Sequence, residues 1–295
     1  MSVSTPPPRV LAALFALALA AAAAAASPES DAARIMQRAF EVSGGDDAVS
    51  RLRFRFEYDG GKTAALSVLM AFKRYPAGTE MASRVIMFNE SPPDRKDVAY
   101  LGWFFRPEQR RGAEQWLYLP ELRQTRKLTR RARDRAGAAL DIKRRPDGDE
   151  FAVSEIDEEE LAPRDPSLDR HTLRGEETLD GRPVYVVESV PREAASSSYG
   201  KFVTWIARDG SLPLRVDYYN RRQDRVKTLT FDWTRVGTAW VWERVTAVNP
   251  VNGNRTVLEQ TDVRVDLGLP DELFTRRMLD LGGDAFARRV AGQPR

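Results

Sequence analysis

Side chains able to support acid–base, nucleophilic or metal chemistry are few in this sequence and follow no known motif. The chain has one histidine, His171, and no cysteine, so a histidine-based triad, a zinc site or a cysteine nucleophile has almost nothing to draw on. His171 falls in a predicted strand, which favours a packing or solvated histidine. The serines at 196–198 lack the strand–turn–helix context of a serine nucleophile. We therefore predict no catalytic residue, no metal site and no cofactor, and hence no enzyme.

Two runs of charge remain as candidate binding segments. The acidic run Glu155 to Glu160 lacks the alternating oxygen ligands and the glycine of a calcium loop, which favours a solvated helix face. The basic run Arg123 to Arg145 could contact lipid phosphates, because each Lys or Arg near an anionic membrane surface contributes about 1 kcal/mol. A charged surface loop explains the basic run equally well, and both interpretations stay open.

Residues 1–26 have the features of a secretory signal peptide. A short n-region carries Arg9, an apolar stretch runs from Val10 to about Ala26, and small residues precede Ser27. The stretch of about 17 residues is marginal for a bilayer, which needs ~20, so cleavage near Ala26 is favoured over anchoring. The absence of cysteine excludes the lipid-modified cysteine that a lipoprotein carries after its signal. A formal net charge of +3 does not indicate nucleic acid.

Hydrophobic periodicity predicts a mainly β fold after the signal peptide, and the remaining residues, about 270, fit one large domain or two ordinary ones. Apolar residues recur every three to four positions from Pro28 to Val42, which predicts an amphipathic helix. Alternation from Leu52 to Tyr58 predicts a strand, and the turn at residues 59–61 predicts a hairpin with Lys62 to Tyr75. Further strands are predicted at Ser83–Phe88, Val98–Phe105, Gln115–Leu119, Arg170–Leu179, Arg182–Val190, Lys201–Ala207, Pro213–Tyr219, Arg225–Trp233, Ala239–Ala247 and Arg255–Val265.

The remaining segments are predicted to be short helices or loops. We expect Arg123 to Pro166 to be a long excursion with one or two short helices, and a short helix to begin at Asp271. Residues 282–295 have little to bury and are expected to be a loose tail. A sheet of about a dozen strands has more apolar face than so few helices can cover. Either the sheet curls around a cavity or a partner covers it.

The strand that ends at Pro120 combines aromatic and basic residues. Alternation puts Trp116 and Tyr118 on one face, and Pro120 ends the strand because it has no N–H to donate. Five strand aromatics are candidates for an apolar cavity lining: Trp103, Phe105, Trp116, Tyr118 and Trp205. Three basic residues after the strand are candidates for contact with a lipid headgroup or a partner: Arg123, Arg126 and Lys127.

The run Trp116–Leu128 resembles the YLP-x-L-R-x-x-R signature of the outer-membrane lipoprotein-sorting family, the LolA/LolB-like periplasmic carriers and their larger relatives. Leu179–Val187 is similar to the family's DGRP-x-Y-V-V hairpin, and the resemblance covers roughly Ala33 to Leu279. It departs at Asp149–Ile156, where relatives often carry a tyrosine-containing run. Cargo contacts in that loop are therefore not implied.

The resemblance implies that residues 27–281 form a single domain, a strongly curved, half-open antiparallel β-barrel of about a dozen strands with a few helices over its concave face. It further implies a monomeric, non-enzymatic periplasmic carrier that holds lipid or lipoprotein acyl chains in the cavity and moves them towards the outer membrane. An inner-membrane transporter and an outer-membrane acceptor are the implied partners. The alternative is a sensor or scaffold of the same fold that detects lipid or lipoprotein and regulates a membrane partner such as an export pump.

Overall fold

The computed structural model describes residues 28–42, 44–109, 111–128, 155–156, 160 and 164–292. Within them, thirteen strands form one antiparallel sheet, which is curved and not closed into a barrel. This confirms the predicted half-open, mainly β fold. The described elements are α1 (Pro28–Phe40), β1 (Asp47–Glu57), β2 (Thr63–Arg74), β3 (Met81–Ser91), β4 (Ala99–Phe105), β5 (Glu114–Leu119), β6 (Gln124–Lys127), β7 (Asp169–Leu179), β8 (Arg182–Pro191), β9 (Lys201–Ala207), β10 (Pro213–Tyr219), β11 (Arg225–Val236), β12 (Ala239–Val248), β13 (Arg255–Val265), α2 (Arg276–Leu281) and α3 (Gly283–Ala291).

The sheet consists of two meanders joined at its centre. Its strand order is β6-β5-β4-β3-β2-β1-β13-β12-β11-β10-β9-β8-β7, so the first strand pairs with the last. In that central pair Phe54 lies opposite Leu258. The edges are β6, which lies at the beginning of the expected excursion, and β7, which follows its end. Because these edges do not pair with each other, the sheet stays open.

One face of the sheet, here called the α1 face, carries helix α1. Residues directly opposite each other in neighbouring strands point to the same face. Helix α1 buries Ala32 and Ile35 against Val187 of β8 and Ile206 of β9, as its amphipathic pattern predicts. Successive opposed residues carry this face to the centre of the sheet: Val187, Thr204, Val216, Leu229, Ala247, Thr256 and Phe56.

The opposite face, here called the C-terminal face, is covered by residues 267–291, the C-terminal segment. Val49 and Phe56 are an odd number of residues apart in β1, whose pairing with β2 is uninterrupted, so they point to opposite faces. Opposed residues carry the C-terminal face from Val49 to the β5 edge: Val49, Ala71, Ile86, Leu101 and Trp116. The helices are thus divided between two faces, which corrects the expectation that they all cover a concave face.

A buried carboxylate attaches the C-terminal segment to the start of β1. The Asp47 oxygens accept the backbone N–H of Leu267 at 2.7 Å and that of Leu269 at 2.6 Å. Farther along, the Lys73 ammonium donates to the Leu269 carbonyl and to the Asp271 carboxylate, both at 2.7 Å. These bonds fix the direction in which the chain leaves β13, so the apolar residues that follow reach the C-terminal face.

The expectation of a loose tail from residue 282 is wrong for helix α3. Phe286 and Val290 are buried, and the Phe286 ring stacks on Phe88 with ring centroids 5.0 Å apart. The Asp97 carboxylate accepts the Gly283 N–H at 3.1 Å at the beginning of α3. Only two large apolar side chains of this short helix are buried, so its amphipathic pattern is weak in the sequence.

A further correction concerns the beginning of the expected excursion. Residues Gln124–Lys127 form β6, which pairs with β5 so that Leu117 lies opposite Arg126. A single turn over Pro120–Leu122 connects the strands, and Arg123 has a φ of 48° at its end. Short, charged edge strands resist pairing with other chains. The charged residues, which give β6 no apolar alternation in the sequence, are therefore consistent with its place at the edge of the sheet.

Candidate functional site

A continuous apolar cluster occupies the α1 face across the seven neighbouring strands from β4 to β11. Alternation in these strands puts one residue in two on this face, and the central β1–β13 pair joins the two halves. Its buried strand residues are Leu52, Phe54, Phe56, Leu66, Val68, Val85, Met87, Tyr100, Leu229, Val245, Ala247 and Leu258. Half-buried residues that pack against it include Tyr58, Met70, Phe104, Phe231 and Trp242.

Gly102 lets two rings of this cluster close over β4. A Cβ added to Gly102 would lie 2.7 Å from the Phe104 ring and 2.8 Å from the Tyr100 hydroxyl. Both distances are shorter than carbon contacts allow, so a side chain here would displace the rings. Tyr100 and Phe104 thus form the β4 end of the apolar surface.

Ile156 is inserted into the cluster and is only 1% exposed. Its neighbour Glu155 is held by the turn between β12 and β13. The Glu155 carboxylate accepts the side-chain amides of Asn249 at 3.0 Å and Asn254 at 3.1 Å, with Asn252 at 3.5 Å. The interpretation of the acidic run as a solvated helix face is therefore wrong at Glu155, which is buried.

Glu160 makes a second buried polar contact on the α1 face. Its carboxylate accepts a hydrogen bond from the Lys227 ammonium at 2.7 Å and another from the Tyr199 hydroxyl. All three side chains are buried. Sequence reasoning missed this group, although Lys227 shares the strand parity of the apolar Leu229 and Phe231 in β11. A lysine at an apolar position was the signal that could have found it.

The predicted lining aromatics Trp103, Trp116 and Tyr118 lie on the C-terminal face. The Trp103 and Trp116 rings meet edge to face with centroids 4.8 Å apart, and Trp116 is 4% exposed. The Trp103 indole N–H donates to the Phe274 carbonyl at 2.9 Å. Tyr118 packs against the same cluster. The structure thus brings these three together under the C-terminal segment, away from the apolar cluster of the α1 face.

The other two predicted aromatics lie apart from them and from each other. The Phe105 ring, at the end of β4, lies 4.0 Å from the Arg111 guanidinium. Trp205 of β9 donates its indole N–H to Glu177 at 2.9 Å and has Arg215 over its ring at 4.6 Å. Both are half-buried. Their role as acyl-chain contacts remains a prediction.

The three predicted headgroup contacts lie on or next to the β6 edge and are exposed. Arg123 occupies the turn before β6. Lys127 lies 3.3 Å from the Glu114 carboxylate, and its ammonium is 5.5 Å from the centre of the Trp116 ring. Arg126 donates to Gln124 at 3.5 Å. This arrangement leaves Arg123 and Arg126 accessible to a negatively charged partner.

Two open clefts lie outside the apolar cluster's centre. A cleft of about 680 Å³ is lined by the β10–β12 region, including Arg215, Arg225 and Trp233. A second, of about 580 Å³, lies between α1 and β7 and includes Arg34 and Tyr185. None of the five predicted aromatics lines either cleft.

His171 is a buried packing histidine. Its Nε2 lies 2.8 Å from the Pro166 carbonyl, which can only accept, so Nε2 carries the proton and Nδ1 accepts from the Ser189 hydroxyl at 2.8 Å. Burial lowers the pKa of His171 below its ordinary value, although the Pro166 carbonyl acts in the opposite direction. In the part of the chain that the structure describes, no group of three His, Asp or Glu residues could hold a metal ion.

We expect His171 to make folding stability depend on pH. Since its pKa is lower in the folded state, the folded protein favours the neutral ring, and this stabilisation is lost as the pH falls below about 6.5. The free energy of unfolding should fall by up to about 1.4 kcal/mol per pH unit there. In His171→Gln the slope should be smaller, measured by urea unfolding between pH 7.5 and 5.0. Equal slopes in the two proteins would show that the lowered pKa of His171 is not a cause of the pH dependence.

The curved, half-open antiparallel sheet defines a protein of LolA-like fold. The model of a family described as "Uncharacterized protein" matches residues 82–280, more than half of the chain. The chain belongs to the family that this model describes. No helix in the described ranges is both long and apolar enough to cross a membrane. The comparison with curated proteins found no match.

Solved structures with this fold cover most of the chain. A DUF1329 family protein from Desulfovibrio piger is 23% identical, with a TM-score of 0.72 over 85% of this chain and 99% of the other. A putative outer membrane lipoprotein-sorting protein domain from Vibrio parahaemolyticus is 23% identical, with a TM-score of 0.66 over 85% and 98%. A LolA superfamily protein from Nitrosomonas europaea is 17% identical, with a TM-score of 0.59 over 84% and 98%. At these identities the likeness shows the fold.

Proposed function

We propose that this protein is a non-enzymatic periplasmic carrier that binds acyl chains of lipids or lipoproteins and moves them towards the outer membrane. The observation that carries the proposal is the apolar cluster of the α1 face, which runs without interruption across seven strands. The lipoprotein-sorting name of a structure with the same fold supports the class of cargo. An inner-membrane donor and an outer-membrane acceptor are the proposed partners.

Burial of an acyl chain against an apolar face supplies enough free energy for binding. Burying one methylene contributes about 0.8 kcal/mol, so ten of them contribute about 8 kcal/mol. That gain offsets the translational and rotational freedom lost on binding and leaves reversible binding. Half-buried residues such as Met70 and Phe104 suit this role because they already border the cluster without filling its centre.

The acyl-chain contacts are therefore proposed on the α1 face. Trp103, Trp116 and Tyr118 would meet a chain only if the C-terminal segment moved, since they pack under it. Arg123, Arg126 and Lys127 are proposed to contact anionic headgroups or a membrane partner at the β6 edge, where they are exposed.

Neighbouring phenylalanines on β4 provide a matched test of the face. Phe104 belongs to the α1 face and Phe105 points the other way, and both are half-buried. We expect Phe104→Gln to weaken the binding of a fluorescent fatty acid by about tenfold, because an apolar contact worth about 1.4 kcal/mol is lost. Phe105→Gln should bind like the wild type. Lipid extracted from the purified proteins and identified by mass spectrometry gives a second measurement.

The outcomes separate the alternatives. Loss of binding in Phe105→Gln alone would return the acyl-chain contacts to the C-terminal face. A wild-type protein that purifies without lipid and binds no fatty acid would overturn the carrier function. In that case a stable complex with a membrane protein in a pull-down would favour the sensor or scaffold.

A further inference from the structure

We propose that Lys227 and Tyr199 form a binding site for the carboxylate of a fatty acid, and that Glu160 occupies this site in the present structure. The inference rests on the proposed function and names its ligand class: an acyl chain with a single anionic head. The site lies on β11 and just before β9, on the α1 face.

The chemistry of the site is that of a carboxylate receptor. The Lys227 ammonium donates to Glu160 Oε1 at 2.7 Å, and the Tyr199 hydroxyl donates to the same oxygen. The ammonium also lies 5.8 Å from the centre of the Tyr199 ring. Lys227 is only 7% exposed. A carboxylate bound here receives two donors in a site shielded from water, where charge-assisted hydrogen bonds are strong.

The site is continuous with the apolar cluster. Lys227 lies opposite Tyr218 in the neighbouring strand. Tyr218 and Phe231 pack both against the apolar cluster and against a smaller group that contains Tyr199 and Phe202. A long chain on the apolar cluster can therefore place its head at Lys227 without crossing a polar surface.

Residues of the acidic run occupy both parts of this surface. Ile156 fills part of the apolar cluster and Glu160 fills the polar site, only four residues apart. Together they present an apolar group and a carboxylate, as a fatty acid does. Release of Glu160 from Lys227 costs little, because the hydration that its carboxylate regains in water offsets the attraction that it loses. We infer that Ile156 and Glu160 together are an internal competitor, which a fatty acid replaces by supplying its own chain and carboxylate.

Three ligands with matched parts test the site: palmitate, hexadecanol and acetate. Wild-type protein should bind palmitate more tightly than hexadecanol, and acetate should not bind measurably. Lys227→Met should weaken palmitate binding by about tenfold or more, the effect of losing one charge-assisted hydrogen bond, and leave hexadecanol binding unchanged. Tyr199→Phe should show the same selective effect more weakly.

Glu160→Gln provides the opposite test, because it keeps the side chain's shape and weakens the competitor. Palmitate affinity should rise several-fold in this variant, which also serves if Lys227→Met fails to fold by circular dichroism. Equal losses for palmitate and hexadecanol in Lys227→Met, or unchanged palmitate affinity in Glu160→Gln, would overturn the site while leaving the carrier function intact. Failure of wild-type protein to bind either long-chain ligand would overturn both.

Discussion

A chain that ends after Gly282 should be less stable than the full chain by about 3–6 kcal/mol. This truncation removes α3, and with it Phe286 and Val290, which are 0% and 3% exposed. Fully burying an apolar side chain of this size contributes about 1.5–3 kcal/mol, which accounts for the range. The truncation also exposes Phe88, on which Phe286 stacks. The free energy of unfolding of a domain is usually about 5–15 kcal/mol, so the expected loss is a large fraction of the total stability.

Urea unfolding followed by tryptophan fluorescence measures this effect. The control ends after Gly292, one residue beyond α3. Its free energy of unfolding should equal that of the full chain. If the truncation after Gly282 left the free energy of unfolding unchanged, α3 would contribute nothing to the core. The single substitution Phe286→Ala keeps the helix in the chain and should still lower the free energy of unfolding by about 3–5 kcal/mol.

Trp116→Ala is expected to cost about 3–5 kcal/mol of stability, the usual range for a large aromatic residue removed from a core. Trp116 is 4% exposed, contacts Trp103 edge to face, and has the Arg276 guanidinium 6.0 Å from its ring centre. Its loss would leave a cavity between β5 and the C-terminal segment. The fatty-acid affinity of the molecules that remain folded should stay unchanged, because the proposed contacts lie on the other face.

Trp205→Ala is the matched control, since Trp205 is also a strand tryptophan but is half-buried and bonded to Glu177. It should cost about 1 kcal/mol, as is usual for a substitution outside the core. Thermal unfolding and fatty-acid titration of both variants supply the comparison. A stable Trp116→Ala that has lost fatty-acid binding would show that the C-terminal face contacts the cargo after all.

Local patterns predicted most of the fold. Alternation marked twelve of the strands, and the amphipathic repeat marked α1, because each pattern reflects one buried and one solvated side of a local element. The strand β6 was missed because an exposed edge strand of four residues, Gln124–Lys127, needs no apolar alternation. Helix α3 was missed because two buried residues in nine make a weak pattern.

The site was less predictable than the fold. A strand's pattern shows that Trp116 and Tyr118 share a face, but the identity of the element that covers this face depends on residues far away in sequence. Trp103 meets the Phe274 carbonyl across 171 positions. The partnership of Glu160 with Lys227 spans 67 positions. Neither pairing leaves a local mark beyond a lysine at an apolar position of β11.

The sequence by itself determined that this protein is a cysteine-free, mainly β chain with one histidine and alternating strands, because composition and short-range periodicity are local properties. Only the tertiary structure decided which side of the sheet each helix covers. The covering depends on how the chain leaves β13, where Asp47 binds the backbone of Leu267 and Leu269 and directs it over Trp116. That contact joins the beginning of the first strand to the segment after the last strand, and it leaves the α1 face for Ile156, Glu160 and the proposed cargo.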